Sequence, residues 1–342
     1  VIMKVWKILS PKVLTSEERP DNLTDDAQAK VKVTQLLLSG SDVRSYSGAL
    51  RPKYPVVPGM FAVGVVGEAG AACVKVEKNT RVYIHDAFPC GGCAQCLAGE
   101  EENCSDLRTA GVNTEGFLRD FVVTEEANLS PLPPSVSDDE ALFTGVISAC
   151  EAVIDKLDAG KGTHIAVFGA GIFGNILSQL LIYHQAVPIL VDESEERLAV
   201  AAQCGIYYTV KADEELKATI TRITGGRLAA ASVYCSYCGL PAELPFGLTA
   251  HAGKVVYAGF GFPELQPQLK AALDKRLTIS AVANDPSNYA AAINLLVNKA
   301  VNVAPLHPRK YSAAEITAAF ADRAESLEKN AGESPSVINL LA

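Results

Sequence analysis

The sequence predicts an α/β protein of two domains, a β-rich, barrel-like domain followed by a doubly wound parallel sheet. Short β-like runs separated by Gly and Pro fill residues 1 to about 134, which is typical of a compact β domain. From about residue 163 to 283, near-continuously apolar strands alternate with helical patterns, and this indicates a parallel sheet covered on both faces. A chain of 342 residues with 49% hydrophobic side chains is long enough for both domains.

The first domain is predicted to contain the strands VIMKVWKIL, KVKVTQLLL, MFAVGVVGEAG, RVYIHDAF and FLRDFVVTEE. The stretch SVSDDEALF then predicts the start of a helix, because Ser137 and Glu140 have the spacing of a capping box.

The second domain is predicted from six strands, HIAVFG, VPILV, YYTV, ASVYCS, KVVYAGF and LTISAVA, which alternate with helical segments such as FGNILSQLLIYHQ, EERLAVAAQCG and EELKATITRI. Six such strands complete a doubly wound sheet of the dinucleotide-binding type. Helices from YAAAINLLVNKA onward follow, and we expect the final strand-like stretch SVINLL to return to the first domain.

Composition narrows the classes of function. The formal net charge of −9, with no basic stripe, disfavours nucleic acid as a partner. No apolar run reaches the roughly 20 residues of a membrane span, and VIMKVWKILSPKVL lacks the apolar core and cleavage site of a signal peptide. We therefore expect a soluble, cytoplasmic protein that binds neither nucleic acid nor membrane.

The turn after the strand HIAVFG carries a glycine motif, G-x-G-x-x-G, and a helical pattern follows it. Its glycines are Gly169, Gly171 and Gly174, with Ile172 and Phe173 between the last two. In that context the glycines permit the turn, the approach of a pyrophosphate and close helix packing, so the motif predicts a dinucleotide site. The alternative is a sheet of the same kind that binds no dinucleotide.

An acidic residue follows at the end of the next strand. Asp192 lies 23 positions after Gly169, where an acid binds the adenosine ribose hydroxyls and repels a 2′-phosphate, which favours NAD over NADP. Arg197 can contact the ribose or a phosphate, or it can pair with Glu193 at i, i+4.

Four of the nine cysteines lie within PCGGCAQCLAGEEENC, at Cys90, Cys93, Cys96 and Cys104. Four thiolates complete a tetrahedral Zn²⁺ shell and leave no position for substrate, so the cluster predicts one structural zinc per chain. An iron–sulfur cluster and unmetallated thiols are the alternatives, although the last spacing and the residue after it differ from the ferredoxin pattern.

The other five cysteines are expected to be reduced thiols rather than a disulfide framework. Two of them, in CSYC, have thioredoxin-like spacing but close a predicted strand, which favours a buried pair.

In sequence order, VVPG, VVGEAG, RVYIHDAFPCGGCAQC, GFLRDFVVTEEANLSPLP, GAGIFG and AGKVVYAGF carry a resemblance that spans nearly the whole chain. The chain resembles the medium-chain dehydrogenase/reductase superfamily, close to its zinc-containing alcohol and polyol (sorbitol-like) dehydrogenases. This implies a GroES-like catalytic domain from residues 1–148 and 284–342 and a Rossmann NAD-binding domain from 149–283. It also implies a zinc lobe at about 88–106, a small-molecule substrate, and a homodimer or homotetramer.

Relatives in that group hold a second, catalytic zinc, and most of its ligands are replaced here. Ser39 stands at the position of a cysteine, and Met60 and Phe61 stand at those of a histidine and a glutamate. Glu140 matches the remaining ligand position, and Thr144 matches a residue that packs near the nicotinamide. A hydroxyl, a thioether and a phenyl ring are poor zinc ligands, so we expect this site to be vacant.

Four residues are candidates for proton handling in place of the metal: Ser41, Arg44, Tyr46 and Glu140. Ser41 matches a hydroxyl of the family's proton relay. For Arg44 and Tyr46 the alternative is a solvated loop edge, and for Glu140 it is the capping box with Ser137.

The expected reaction is hydride transfer to an activated C=C or C=N bond, an enone or iminium, whose conjugation removes the need for a metal. The apolar Met60 and Phe61 favour a less polar or conjugated substrate, although they can simply plug a vacant space. A zinc-independent reaction on a polyol or sugar-like compound is the alternative, and a non-catalytic NAD-binding protein is the alternative of another class.

Overall fold

The computed structural model describes residues 2–20, 25–306, 308–328 and 335–341. Val1 and Ala342, the outer bounds of the predicted first domain, lie outside them. None of the described helices combines the length and the apolar character that crossing a membrane requires.

The strands, in chain order, are β1 Ile2–Ser10, β2 Val13–Pro20, β3 Gln28–Leu38, β4 Phe61–Ala69, β5 Arg81–Ile84, β6 Ala87–Phe88, β7 Arg108–Thr109, β8 Phe121–Glu125, β9 Leu129–Pro131, β10 His164–Phe168, β11 Val187–Asp192, β12 Tyr208–Lys211, β13 Ala229–Cys235, β14 Thr249–Ala258, β15 Thr278–Val282, β16 Arg309–Ser312 and β17 Ser336–Asn339.

The α-helices are α1 Gly40–Ser47, α2 Ala94–Leu97, α3 Asp138–Ala141, α4 Thr144–Leu157, α5 Ile172–Tyr183, α6 Glu195–Gln203, α7 Leu216–Ile223, α8 Leu244–Leu248, α9 Lys270–Lys275, α10 Tyr289–Val297 and α11 Ile316–Glu328. Single 3₁₀ turns cover Glu101–Asn103, Glu126–Asn128, Ala304–Leu306 and Ala313–Glu315.

The first domain is organised around a sheet with the strand order β16-β17-β3-β4-β5-β9, and β8 also pairs with β3. β17 runs antiparallel to β3 with Ser336 opposite Leu38, which confirms the expected return of the C-terminal strand. The hairpin of β1 and β2 forms a separate two-stranded sheet. The fold class, an α/β chain with a β-rich domain beside a parallel sheet, is as predicted.

The second domain is a six-stranded parallel sheet with the order β12-β11-β10-β13-β14-β15. The strands after β10 are added first on one side of it, as β11 and β12, and then on the other side, as β13 to β15. At the carboxyl ends of the strands, between β10 and β13, such a change of strand order leaves a crevice in which ligands bind. The glycine motif leaves β10 at this point and leads into α5.

Helix α4 joins the two sheets and is buried along most of its length. It packs against α5 of the second domain and against α10, which follows β15 in the chain, and Gly145 in its first turn faces the first domain. A Cβ atom on Gly145 would lie 2.8 Å from Phe61 Cε1 and 2.5 Å from both the Tyr83 hydroxyl and Asp86 Oδ1. The absence of a side chain at Gly145 therefore lets the two domains share one core.

Candidate functional site

A cleft of about 780 Å³ lies between the two domains, bordered by β4, α1 and α11 on one side and by the glycine turn on the other. The predicted site residues that line it are Ser39, Arg44, Phe61, Gly169, Gly171, Ile172, Phe173, Gly174, Asp192 and Arg197. Ser41, Tyr46, Met60, Glu140 and Thr144 are not among its lining residues. The structure thus brings together the predicted cofactor residues except Thr144, and it divides the predicted catalytic ones.

The glycine turn has the geometry that a bound pyrophosphate requires. Gly169 has φ +107°, a left-handed conformation that favours glycine, and Gly174 contacts the Gly169 carbonyl so closely that no side chain would fit. A Cβ at Gly171 would meet nothing within 4 Å, because this residue faces open space at the start of α5. Backbone N–H groups at that helix start can bind an anion.

Asp192 is buried at the end of β11 and accepts several hydrogen bonds. Oδ2 accepts from the Ala170 N–H at 2.7 Å, and Oδ1 accepts from the Ser194 N–H at 2.8 Å. Arg197 donates to Oδ1 from Nε at 3.1 Å and from Nη2 at 2.9 Å. Arg197 therefore pairs with Asp192 and not, as the helical spacing also allowed, with Glu193.

Ser39 makes hydrogen bonds within its own helix. Ser39 is the N-cap of α1, and its hydroxyl donates to Asp42 Oδ2 at 2.7 Å and accepts from the Asp42 N–H at 3.1 Å. Asp42 Oδ1 also accepts from the Gly59 N–H at 2.6 Å, and burial raises the pKa of this carboxyl. Ser39 therefore holds α1 and the loop before Met60 in place.

Three aromatic rings form the apolar wall of the cleft. The Phe61 and Phe260 ring centroids lie 5.0 Å apart at 76°, and those of Phe173 and Phe260 lie 5.9 Å apart at 77°, both edge-to-face arrangements. Met60 is buried and is not among the residues that line the cleft. Among the described residues, the four cysteines are the one group of three or more His, Cys, Asp or Glu side chains placed to hold a metal.

Of the proton-handling candidates, only Arg44 lines the cleft. Ser41 is buried in α1, with its hydroxyl 3.5 Å from the Phe260 carbonyl. Tyr46 is buried with its ring 5.4 Å from that of Phe320, so it is a core residue and not part of a solvated loop.

Glu140 lies in α3, outside the cleft lining. Its Oε2 accepts from the Ser137 N–H at 2.9 Å and from the Ser137 hydroxyl at 2.8 Å, and Oε1 pairs with Lys299 at 2.7 Å. Burial acts to raise the pKa of Glu140, but Lys299 and the Ser137 donors outweigh it and leave that pKa lowered. The capping-box prediction is confirmed, and the structure does not bring Glu140 to the pocket.

Thr144 starts α4 and is fully buried, donating a 2.7 Å hydrogen bond to the Ala141 carbonyl.

The four clustered cysteines surround one point on a surface lobe. The two closest sulfur pairs, Cys90 with Cys96 and Cys93 with Cys104, are each 4.0 Å apart, and all four sulfurs lie within 4.8 Å of one another. Thiolates around tetrahedral zinc, at a Zn–S distance of about 2.3 Å, would be about 3.8 Å apart. The residues present therefore fit a four-thiolate zinc site.

CSYC starts at Cys235, the last residue of β13, and borders the glycine turn. Cys235 is buried and Cys238 partly so, and a Cβ on Gly169 would lie 2.6 Å from Cys238 Cβ and 3.2 Å from Cys235 Cβ. Burial raises the pKa of both thiols, which therefore stay protonated. The pair packs behind the cofactor turn.

The sequence analysis missed two residues that line the cleft, Tyr237 and Phe260. Both follow strand ends at the crevice edge of the parallel sheet. Loop residues after strands β13 and β14 were the available signal, since ligands bind at that edge.

A buried polar cluster between the domains was also not predicted. Asp86 accepts from the Tyr83 hydroxyl at 2.6 Å and from Asn284 Nδ2 at 3.2 Å, and it also interacts with the Tyr289 hydroxyl. Burial raises the pKa of Asp86 to about 6, against the lowering effect of the two tyrosines. Burial likewise lowers the pKa of the adjacent His85 to about 4, so this imidazole is neutral.

A doubly wound sheet with a glycine turn, facing a β-rich domain across a cleft, defines a two-domain dinucleotide-dependent oxidoreductase. Residues 25–134 match the family model described as alcohol dehydrogenase GroES-like domain, and residues 173–298 match that described as zinc-binding dehydrogenase. The chain belongs to the medium-chain dehydrogenase/reductase superfamily, close to the zinc-type alcohol and polyol dehydrogenases, and is an NAD(P)-dependent enzyme.

Individual relatives are distant in sequence and close in fold. A sorbitol dehydrogenase from Halalkalibacterium halodurans is 26% identical over 310 residues, covering 89% of this chain and 90% of the relative. An oxidoreductase of unknown specificity from Escherichia coli superposes with a TM-score of 0.88 at 21% identity, over 99% of each chain. An Escherichia coli protein described as a short chain alcohol dehydrogenase, complexed with NADH, superposes at 0.87 with 22% identity, also over 99% of each chain.

Proposed function

We propose that this enzyme uses NAD(H) to transfer hydride to an activated C=C or C=N bond, such as an enone or iminium, without a catalytic zinc. The observation that carries the proposal is the aromatic wall of Phe61, Phe173 and Phe260, in which Phe61 stands at a position where the family resemblance implies a metal ligand. A phenyl ring cannot bind zinc, and Ser39 is committed to the α1 cap. A conjugated acceptor suits such a pocket because its own π system spreads the negative charge that hydride adds.

The chain's own residues would position the reactants. The glycine turn and the α5 start would hold the pyrophosphate, and Asp192 and Arg197 the adenosine ribose. NAD(H), when bound, supplies or accepts the hydride. The rings of Phe61 and Phe260 would hold a planar acceptor by stacking and exclude water. The Ser41 hydroxyl, 3.5 Å from the Phe260 carbonyl, is a candidate to pass a proton, although Ser41 is not among the residues that line the cleft.

We infer that NAD(H) is preferred over NADP(H). The Asp192 carboxylate would repel a 2′-phosphate, and its bidentate contact with Arg197 limits what that guanidinium can offer a phosphate in exchange.

We infer in addition that the four-cysteine cluster holds one structural zinc per chain. We also infer that the enzyme is a homodimer or homotetramer in the cytoplasm. The boundaries between its domains are proposed at residues 148/149 and 283/284. The distances between the sulfur atoms, close to those of a tetrahedral site, support the inference of zinc. The inferences on oligomeric state, location and domain boundaries are based on the resemblance to the family.

A zinc-independent oxidoreduction of a polyol or sugar-like compound is the second candidate. The relative named sorbitol dehydrogenase, which aligns over 89% of the chain, favours it. In that reaction Ser41 and Arg44 would have to stabilise an alkoxide without a Lewis acid, which costs several kcal/mol of barrier.

The deciding experiment follows NADH oxidation with a panel of cyclic enones, preformed iminium salts, ketones and ketoses, together with the zinc content of the same preparation. We expect turnover of enones or iminiums with about one zinc per chain. Turnover of ketoses alone would favour the second candidate. Two zincs per chain, with activity lost when the weaker one is chelated, would overturn the metal-free proposal.

A further inference from the structure

Phe260, in the loop that follows β14, contacts elements of both domains. Its ring centroid lies 5.0 Å from that of Phe61, the first residue of β4, and 5.9 Å from that of Phe173, the second residue of α5. Its carbonyl lies 3.5 Å from the Ser41 hydroxyl of α1. Because β4 and α1 belong to the first domain and α5 to the second, Phe260 connects the two sides of the cleft.

The backbone also holds the Phe260 ring in this place. The preceding residue, Gly259, has φ +138°, a conformation that favours glycine, and its N–H donates to the Val282 carbonyl at 3.2 Å. A Cβ atom on Gly259 would lie 2.9 Å from Ser236 Cβ, so the loops after β13 and β14 pack closely together. Edge-to-face contacts with two further rings limit the orientation of the side chain as well. The position of the ring is therefore set by the protein itself.

Phe260 is the middle ring of the aromatic wall, in contact with the other two. Phe173 belongs to the glycine motif that is expected to hold the dinucleotide, and Phe61 stands on the side of the first domain. An acceptor that stacks against this wall has its distance from the cofactor set by the middle ring. Hydride transfer depends steeply on that distance, because a misplacement of about 1 Å can lower a rate about 100-fold.

We propose that Phe260 is a positioning residue, whose ring holds the acceptor at the distance from the cofactor that hydride transfer requires. In the reaction with an enone, the β-carbon accepts the hydride with its electron pair, NADH is left as NAD⁺, and a proton from solvent adds to the α-carbon. The inference deepens the proposed function and rests on it for the class of acceptor. The role of Phe260 itself applies to any acceptor that binds in the cleft.

The test compares wild type with Phe260→Leu, which stays apolar but loses both ring contacts. Steady-state kinetics with NADH and 2-cyclohexenone, or the iminium salt that the enzyme reduces, should show kcat lowered by about 10- to 100-fold and KM changed by less than about threefold, because a displaced acceptor still binds but reacts slowly. The isotope effect with NADH deuterated at the transferred position should be at least as large as in wild type, since hydride transfer then limits the rate. The Kd for NADH should stay within about twofold of the wild-type value.

Two further substitutions serve as controls. Phe262→Leu removes a ring from the same loop that is not among the residues lining the cleft and whose centroid lies 6.4 Å from that of Tyr257, so it should change kcat by less than about twofold. Phe260→Tyr keeps the aromatic ring, so it should retain more of kcat than Phe260→Leu does. Circular dichroism and thermal melts show whether each variant is folded, and Phe260→Met replaces Phe260→Leu if the leucine variant does not fold.

Two outcomes would overturn the inference while the proposed function stands. One is an unchanged kcat in Phe260→Leu, with or without a higher KM or a weaker NADH affinity, which would make the ring a binding surface only. The other is an equal loss of kcat in Phe262→Leu, which would attribute the effect to the fold of the loop.

Failure of the proposed function gives a different result. If the enzyme reduces ketones or ketoses but no enone or iminium, the class of acceptor is wrong, and the same variants assayed with that ketone still test Phe260. If nothing in the panel is reduced, the fluorescence of bound NADH is the remaining measurement, because a ring that excludes water from the nicotinamide raises its emission. Weaker emission in Phe260→Leu but not in Phe262→Leu would support the inference, and equal emission from all three proteins would overturn it.

Discussion

Phe61 contributes to two parts of the structure, the cleft and the joint between the domains. Its ring contacts Phe260 across the cleft, and its Cε1 lies beside the first turn of α4 at Gly145. A side chain with these two contacts contributes to the joint between the domains as well as to the pocket. A metal-binding carboxylate at position 61 would replace this apolar packing with a buried charge. Burying a charge costs free energy unless a metal ion or another charged group interacts with it.

The assignment of Glu140 to a helix cap gives a prediction for that residue. Glu140→Gln should lower the free energy of unfolding by about 1 kcal/mol, because it weakens the bond to the Ser137 N–H and removes the pairing with Lys299. It should change kcat/KM by less than about twofold. Urea unfolding and steady-state kinetics measure the two effects, with Lys299→Met as the matched variant that breaks the ion pair alone. A large loss of kcat in a fully folded Glu140→Gln protein would indicate that Glu140 takes part in catalysis.

A second residue-scale prediction concerns cofactor choice. Asp192→Asn should raise the Kd for NADH and shift the NADPH-to-NADH affinity ratio toward NADPH by about tenfold or more, because it removes the charge that repels a 2′-phosphate and releases Arg197. Fluorescence titration with both cofactors measures this. Glu195→Gln is the control, since Glu195 is exposed and paired with Lys211. Equal changes for both cofactors would argue against a role in discrimination.

Among the helices and strands, those with a regular apolar pattern or a capping motif were predictable from the sequence, whereas those that depend on contacts with distant segments were not. The six parallel strands are continuous apolar runs, and the Ser137 cap has its own short signature. Strand β2, VLTSEERP, is charged and contains no fully buried residue, and it is held by its pairing with β1 and by ion pairs such as Lys7 with Glu17. Helix α1 was not predicted, and a solvated loop edge was the alternative for its residues Arg44 and Tyr46. Its cap depends on Asp42, which is buried and bonded to Gly59, 17 residues away.

The same limit applies to the site. Spacing within one segment identified the glycine turn, Asp192 and the four cysteines. The stack of Arg44 on Tyr237, and the exclusion of Glu140 from the cleft, depend on how two distant segments pack. No pattern within either segment carries that information.

The cysteine lobe gives a prediction at the element scale. Cys93→Ser should abolish zinc binding and make the lobe, about residues 88–106, sensitive to protease, because only short helical turns and one two-stranded pairing of β6 with β7 support this segment. Metal analysis and limited proteolysis with mass spectrometry measure both effects. Cys73→Ser, which lies outside the cluster, should change neither. An intact lobe without metal would show that zinc is not what holds it.

At the scale of the whole molecule, the Asp86 cluster lies where the two domains meet. The pKa of Asp86 in the folded protein is about 6, above the ordinary value of 3.8, so its contribution to stability is full below about pH 3.8 and is lost as the pH rises through about 6. Replacement by Asn removes this titration. We expect the unfolding free energy of wild type minus that of Asp86→Asn to fall by up to about 3 kcal/mol between about pH 4 and pH 7.

Chemical unfolding of both proteins at several pH values provides the measurement. Tyr289→Phe, which removes one hydroxyl of the cluster but keeps the carboxyl, serves as the comparison and should retain the pH dependence. A difference that is flat with pH would mean that Asp86 does not titrate in this range.

The pairing of β17 with β3 has a consequence for how the protein forms. The partners Leu38 and Ser336 are separated by 298 positions, and the whole parallel sheet lies between them in sequence. The parallel sheet contains its own contiguous strands, so it can fold as a unit during synthesis, whereas the first sheet must wait for β16 and β17 to emerge from the ribosome. Until then the β3 edge is exposed to other chains, and this period of synthesis is when we expect the protein to depend most on chaperones.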